Sequence, residues 1–116
     1  MKNSILALLL LMACASGGVN IAAIAANPGK FDGDTVTMRV KFIGWGATDK
    51  PLYGTATTRS DWVVADETGA CHVFGQSPLS VTDEADRGKE LDLSVVVHVQ
   101  DTSFWLEMVR WALGEQ

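Results

Sequence analysis

Two long stretches of the chain alternate between apolar and polar residues. The first covers residues 35–43 and the second covers residues 91–100. An alternation with a period of two is typical of a β-strand that buries one face, so each stretch predicts such a strand. The side chains that we expect in the core are Val36, Met38, Val40 and Phe42 in the first strand, and Leu91, Leu93, Val95, Val97 and Val99 in the second.

A β-hairpin is predicted between these two strands. Residues 62–65 and 71–74 are rich in β-forming residues, and they flank the short segment 66–70. Within that segment, Asp66 and Thr68 can bond back to turn amides, and we expect Gly69 to adopt a positive φ.

Residues 104–113 fit two structures. As a strand they continue the β-rich pattern after a short turn, and as a helix they would start from a Ser103 cap. We favour the strand, because Trp, Phe and Val are good β-formers and the preceding turn has the length of a hairpin turn.

The remaining segments predict short helices, a bend and a loop. Asn20 can cap a helix of about two turns that residues 27–29 stop, and residues 44–46 allow a bulge or sharp bend. Residues 47–58 are predicted to form a long loop. Between residues 77 and 88, Ser80 or Thr82 is a possible cap for a short helix.

The predicted order of strands, together with two local motifs, resembles an OB-fold domain. Residues 62–75 contain an x-D-x-T-G-x-h-x-h pattern (h, apolar), similar to the second hairpin of OB domains of the anticodon-binding and single-strand-binding type. Residues 26–36 are similar to the entry of small extracytoplasmic OB-type domains. The resemblance implies an all-β fold over residues 19–116: a five-stranded Greek-key barrel with a short N-terminal helix and a short helix or loop between its third and fourth strands.

The N-terminus resembles the signal of bacterial lipoproteins. Lys2 precedes an apolar run over residues 5–12, and Cys14 follows a Leu-x-Ala sequence similar to a lipobox. The resemblance implies that residues 1–13 are a signal peptide and that residues 14–18 are a lipidated cysteine and linker. The mature protein would then lie outside the cytoplasm, anchored to a membrane of the cell envelope, the outer one where two exist.

Two alternatives for the N-terminus stay open. Residues 13–15 also form an Ala-x-Ala pattern, which allows ordinary cleavage before Ser16. An uncleaved anchor is disfavoured, because the apolar run is shorter than the roughly 20 residues that a membrane-spanning helix needs.

The net charge limits the classes of molecule that the protein is expected to bind. The chain has 9 basic and 14 acidic residues, a net charge of −5, so it lacks the overall basic footprint of a nucleic-acid-binding protein.

If Cys14 is acylated, Cys71 has no partner for an internal disulfide. We therefore expect Cys71 to be buried and inert, as unpaired cysteines usually are.

Aromatic and polar residues provide candidate binding groups. The four tryptophans, near or within predicted strands, serve either in packing or in a face that stacks on a ligand, for which a glycan suits an acidic protein better than a polyanion does. Arg59, Ser60 and Asp61 form either a recognition rim or a local clasp, with a possible Arg59–Asp61 ion pair. The candidate ligand-binding residues are therefore Trp45, Arg59, Ser60, Asp61, Trp62, Trp105 and Trp111.

No catalytic, metal or cofactor motif is apparent. In the OB strand order, the strands that carry His72 and His98 are separated by another strand, so the two histidines are not expected to form a metal site. The pattern has no nucleophile–base spacing and no phosphate-binding loop, and we expect a non-catalytic protein without a cofactor.

Together these features predict a lipid-anchored extracytoplasmic binding module. Its ligand would be an envelope protein, a glycan or a small molecule. The alternatives are a single-strand nucleic-acid-binding protein, favoured by the hairpin motif but opposed by the charge, and a purely structural envelope lipoprotein.

The lipid anchor makes a direct prediction about the mature N-terminus. Mass spectrometry of the protein isolated from membranes should give a chain that begins at a diacylglyceryl-modified Cys14. An unmodified chain that starts at Ser16 would instead establish ordinary secretion.

Overall fold

The computed structural model describes residues 18–114, so the predicted signal peptide, Cys14 and most of the linker lie outside the described residues. No helix among residues 18–114 has the length and apolar character needed to cross a membrane. In chain order, the elements are helix α1 (Ile21–Ala26), a 3-10 helix (Pro28–Phe31), strands β1 (Thr35–Gly44), β2 (Leu52–Tyr53), β3 (Trp62–Asp66) and β4 (Gly69–Phe74), a second 3-10 helix (Glu84–Asp86), and strands β5 (Glu90–Gln100) and β6 (Ser103–Leu113).

Five of the strands close into a barrel with the OB strand order. Strand β1 pairs with β3 on one side and β5 on the other, while β3 pairs with β4 and β5 with β6, all antiparallel. The parallel pair β4–β6 then closes the barrel. The short strand β2 adds to β4 in parallel outside this ring. The predicted all-β, OB-like fold is confirmed.

The alternating pattern places the core as expected. The apolar side of β1 and positions 91, 93, 95 and 97 of β5 are buried, while Val99 is partly buried against the core. Residues 104–113 lie in a strand, as favoured above, and Phe104 and Leu106 complete the barrel interior. Cys71 is also buried, as predicted, and its loss of solvation raises the pKa of the thiol to about 12, with a smaller contribution from Asp66.

Strand β1 bends sharply where it passes from one partner to the other. The register slips between Phe42 and Gly44, and Gly44 has a φ of +67°. A Cβ at Gly44 would lie 2.7 Å from the carbonyl oxygen of Val81, so both backbone conformation and space require glycine here. The bend confirms the break predicted at residues 44–46, and it lets one strand serve both halves of the barrel.

Helix α1 fills the end of the barrel that β3 leaves open. Strand β3 pairs with β1 only from Lys41 onward, and the Val19 N–H bonds to the free Thr37 carbonyl at 3.2 Å. Ile21 and Ile24 are buried in the core. The predicted cap is confirmed, because Asn20 Oδ1 accepts a hydrogen bond from the Ala23 N–H at 2.8 Å.

The Asp66 carboxylate joins this helix to the β3–β4 turn. Asp66 Oδ2 accepts a bond from the Ile21 N–H at 2.9 Å, while Oδ1 accepts bonds from the N–H groups of Thr68 and Gly69 at 2.8 and 3.2 Å. Thr68 Oγ1 donates to Asp66 and accepts a bond from the Ala22 N–H at 3.0 Å. One turn thus supplies acceptors to two helical amides that would otherwise have no partner.

Three predicted details of local structure are wrong. The segment 47–58, predicted to be a loop, contains the short strand β2 (Leu52–Tyr53), which pairs with β4. Gly69 does not adopt a positive φ. A glycine fits this position because a Cβ there would lie 2.5 Å from the Tyr53 ring. In the segment 77–88, neither Ser80 nor Thr82 caps the helix. Asp83 does so instead, with its Oδ1 accepting a bond from the Ala85 N–H at 2.9 Å.

Replacing the Asp66 carboxylate should destabilise the whole barrel. We expect Asp66→Ala to lower the free energy of unfolding by roughly 2–4 kcal/mol, because it removes a cap and leaves several amides without acceptors. Denaturant unfolding followed by circular dichroism measures this loss. The matched control is Glu67→Ala in the same turn, which should change stability by about 0.5 kcal/mol or less. Equal losses for the two variants would contradict this role for Asp66.

Candidate functional site

A long connection, residues 45–61, crosses the outer surface of β3 and β4 and forms two cavities there. A cavity of about 440 Å³ is lined by residues that include Trp45, Leu52 and Val63. A cavity of about 520 Å³ is lined by residues 56–59, and Asp61 and His72 line both cavities. We call this surface the loop face; it comprises Trp45, Lys50, Leu52, Arg59, Val63 and His72.

Two apolar side chains on the loop face are exposed although their backbones are anchored. Trp45 is 54% exposed, and its N–H bonds to the Val81 carbonyl at 2.9 Å. Leu52 is 52% exposed, and it pairs with Ala70 of β4. Exposed apolar side chains on a fixed backbone are suited to binding, because little conformational entropy is lost on contact with a ligand.

The polar cluster at residues 57–61 is a clasp. The buried Asp61 carboxylate accepts bonds from the Thr57 N–H and the Thr58 hydroxyl, both at 2.7 Å, and from the Thr57 hydroxyl at 3.2 Å. The possible Arg59–Asp61 ion pair is not formed, and Ser60 contacts the Thr58 hydroxyl instead. The geometry therefore favours the clasp alternative for Asp61 and leaves the Arg59 guanidinium exposed beside the cavity.

His72 stands at the centre of the loop face. It points outward from β4 opposite Val63 of β3, and its ring lies between the two cavities. Among residues 18–114, its Nδ1 is the single buried side-chain nitrogen or oxygen that has no hydrogen-bond partner. A buried polar atom without a partner costs about 1–3 kcal/mol, a cost that a ligand group bonding to this nitrogen would remove.

The four tryptophans lie in different environments. Trp62, a candidate ligand-binding residue, does not reach the surface. It is fully buried, packs against Phe42 with ring centroids 5.7 Å apart, and donates from Nε1 to the Gly75 carbonyl. Strand alternation turns Trp62 and Val64 inward together. Trp111 is exposed near the end of β6, and it lines neither cavity of the loop face.

Trp105 lies on the same outer side of the sheet as His72. Phe74, two residues after His72 on β4, contacts Trp105 edge-on with ring centroids 5.8 Å apart. His98 stacks on Trp105 at 4.1 Å, and its Nε2 lies 2.9 Å from Glu107. These neighbours keep Trp105 half-buried, and it lines neither cavity of the loop face.

The charges around the loop face differ from the charge of the chain as a whole. Lys50 and Arg59 line its cavities, and Arg87 lies against Gly46, while Asp61 is engaged in the clasp. None of these three cations forms a salt bridge with another residue in the described range 18–114. The surface is thus locally cationic on an acidic protein, and it offers donors to an anionic or oxygen-rich ligand.

Sequence reasoning found part of this surface and missed the rest. It singled out Trp45, Arg59 and Asp61, but it considered His72 only as a metal ligand and overlooked Leu52. An apolar residue within a polar loop was the available signal for Leu52. Within residues 18–114, no group of three or more His, Cys, Asp or Glu side chains is arranged to hold a metal ion.

Comparison of the chain with protein-family models, curated proteins and solved structures found no match. The assignment of the OB-like barrel therefore rests on its strand order and closure alone. Since OB barrels bind many classes of ligand, the fold does not decide the function, and the loop face carries the evidence for it.

The clasp predicts that Asp61 and Arg59 contribute very differently to the free energy of unfolding. Asp61→Ala should lower the free energy of unfolding by about 1–3 kcal/mol, because the donors of Thr57 and Thr58 lose their acceptor. Arg59→Ala should change it by about 0.5 kcal/mol or less, since the guanidinium has no salt bridge to lose within residues 18–114. Thermal unfolding of both variants tests this, and a larger loss for Arg59→Ala would contradict the clasp.

Proposed function

We propose that the protein is a non-catalytic binding module of the cell envelope, anchored to a membrane through an acylated Cys14, and that it captures its ligand on the loop face. The observation that carries the proposal is the partnerless Nδ1 of His72, a residue that lines two cavities, one of which is also lined by the exposed Trp45 and Leu52. A rigid barrel with a loop-built recognition surface is a common arrangement for binding proteins.

The chemistry of the loop face favours a ligand that combines an apolar ring or ring face with oxygen acceptors. Trp45 offers a flat surface for stacking, while Lys50 and Arg59 can donate to carboxylate, carbonyl or hydroxyl oxygens. A glycan, a small molecule or a side-chain cluster of an envelope protein meets this description. His72 can supply either a donor or an acceptor, depending on its tautomer.

A second candidate is the binding of single-stranded nucleic acid. It is favoured by the local cations Lys50, Arg59 and Arg87 beside an exposed tryptophan, since single-strand binders combine basic grooves with stacking aromatics. It is opposed by the net charge of −5, because phosphate binding depends on neutralising charge. We therefore place it second.

Crosslinking in intact envelopes, followed by purification, tests the primary proposal. Wild-type protein should capture a discrete ligand, and Trp45→Ala should reduce that capture about tenfold or more, as expected for loss of a central aromatic contact. Trp111→Ala is the matched control, because it removes an exposed tryptophan outside the loop face and should leave capture unchanged. Equal capture by all three proteins would refute the loop face as the site.

Titration with single-stranded DNA separates the two candidates. Tryptophan fluorescence should stay constant when micromolar protein receives a single-stranded oligonucleotide. A quench that weakens steeply with added salt, and that Trp45→Ala abolishes, would favour nucleic-acid binding instead.

A further inference from the structure

A second concave surface lies beside the point at which the described chain begins. A cleft of about 560 Å³ is bounded by Val19 and Asn20, by the outer side of β1, by loop residues 48–50 and by the β3–β4 turn. We call it the N-terminal cleft. Its volume falls within the range of small-ligand sites, and within residues 18–114 only Thr48 and Lys50 line both this cleft and a cavity of the loop face.

The N-terminal cleft presents both signs of charge. Lys41 and Lys50 contribute ammonium groups, and Asp49 and Glu67 contribute carboxylates. Within residues 18–114, none of these four forms a salt bridge. Arg39 also borders the cleft, but its guanidinium bonds to Asp92 and Glu90, which raises its pKa. A ligand that carries one positive and one negative group is matched by such a lining.

The first described residues are held against β1 at the edge of this cleft. The Val19 N–H bonds to the Thr37 carbonyl, and Gly18 adopts a φ of +57° at a place where a Cβ would lie 2.9 Å from that same oxygen. Residues 15–18 are the only ones between Cys14 and Val19. Five residue steps reach at most about 18 Å, so an acylated Cys14 would hold the cleft within that distance of the bilayer surface.

We propose that the N-terminal cleft binds the headgroup of a zwitterionic phospholipid with a primary amine, phosphoethanolamine, in the membrane that holds the anchor. The inference rests on the lipid anchor of the proposed function. The lysines meet the phosphate and the carboxylates meet the ammonium group. General attraction to anionic lipid cannot provide this contact, because the protein has a net charge of −5.

The lipid tether explains how a small site can hold a headgroup at the membrane. A short linker confers an effective concentration in the millimolar range, so weak intrinsic affinity for the headgroup still gives high occupancy at the membrane. Binding would fix the orientation of the barrel on the bilayer as well as its distance from it.

The first test is a titration of the mature protein, isolated from membranes and held in alkyl maltoside micelles, which have no phosphate or amine. Glycerophosphoethanolamine at constant ionic strength should produce saturable amide NMR shifts in the millimolar range, confined to residues around Lys41, Ala65 and Glu67. Absence of saturable shifts, or shifts spread over the whole barrel, would overturn the proposal.

Variants assign the two charges of the headgroup. Lys41→Glu should weaken glycerophosphoethanolamine binding tenfold or more, whereas Lys30→Glu makes the same charge change outside the cleft and should have no effect. Glu67→Lys should also weaken it, through loss of the ammonium contact. If inorganic phosphate alone reproduces the shifts with equal affinity, the cleft is a simple anion site and the headgroup assignment is wrong.

Nanodiscs test the membrane as the source of the headgroup. In discs that contain phosphatidylethanolamine, the cleft amides should be protected from hydrogen exchange, and in otherwise identical phosphatidylcholine discs they should not. Equal protection in both would refute the assignment. Failure here is distinguishable from failure of the loop face: Trp45→Ala should keep headgroup binding while losing ligand capture, and Lys41→Glu should do the reverse.

Discussion

The structure depends on the Asp66 carboxylate, which joins the β3–β4 turn to helix α1, with a second contact between the same two segments from Thr68. The two carboxylate oxygens accept bonds from the turn that reverses β3 into β4 and from the first amide of helix α1. Because α1 is only six residues long, it would not persist without this contact and the burial of Ile21 and Ile24. The helix in turn covers the end of the barrel where β1 has no β3 partner.

Barrel closure determines where a binding surface can form. The bend at Gly44 allows β1 to pair with both β3 and β5, and the parallel pairing of β4 with β6 closes the ring. The long connection after β1 must then pass over the outside of β3 and β4, where the Asp61 clasp fixes it. The loop face is therefore the product of a topological requirement, and its exposed side chains stand on a rigid support.

The two proposed surfaces have different electrostatic characters, although they share Lys50. The loop face is cationic because Lys50 and Arg59 outnumber the one carboxylate, Asp61, among the residues that line its cavities, whereas the N-terminal cleft is lined by groups of both signs. The net charge of the whole chain does not reveal such local differences. If the anchor holds the cleft near the bilayer, the barrel has a defined membrane side, and orientation becomes part of how the loop face meets its ligand.

The long strands follow from the local sequence, because apolar alternation depends on neighbours in the chain, whereas the two-residue strand β2 lies in a segment predicted to be a loop. The sequence predicted both long strands, the hairpin, the Asn20 cap, the strand at residues 104–113 and the OB-like order. It could not predict the fate of individual side chains that depend on distant contacts. Gly69 is required by the Tyr53 ring, Asp61 bonds to threonines rather than to Arg59, and Trp62 faces the core.

Which outward positions form a site depends on contacts between segments far apart in the chain. Strand alternation puts Val63 and His72 on the outward side of β3 and β4, but their place beneath the connection 45–61 depends on the path that barrel closure imposes on that loop. Local pattern gives the side of a strand on which a residue lies. What covers that side is determined by segments far away in sequence, and so the partnerless nitrogen of His72 appears only when the chain is folded.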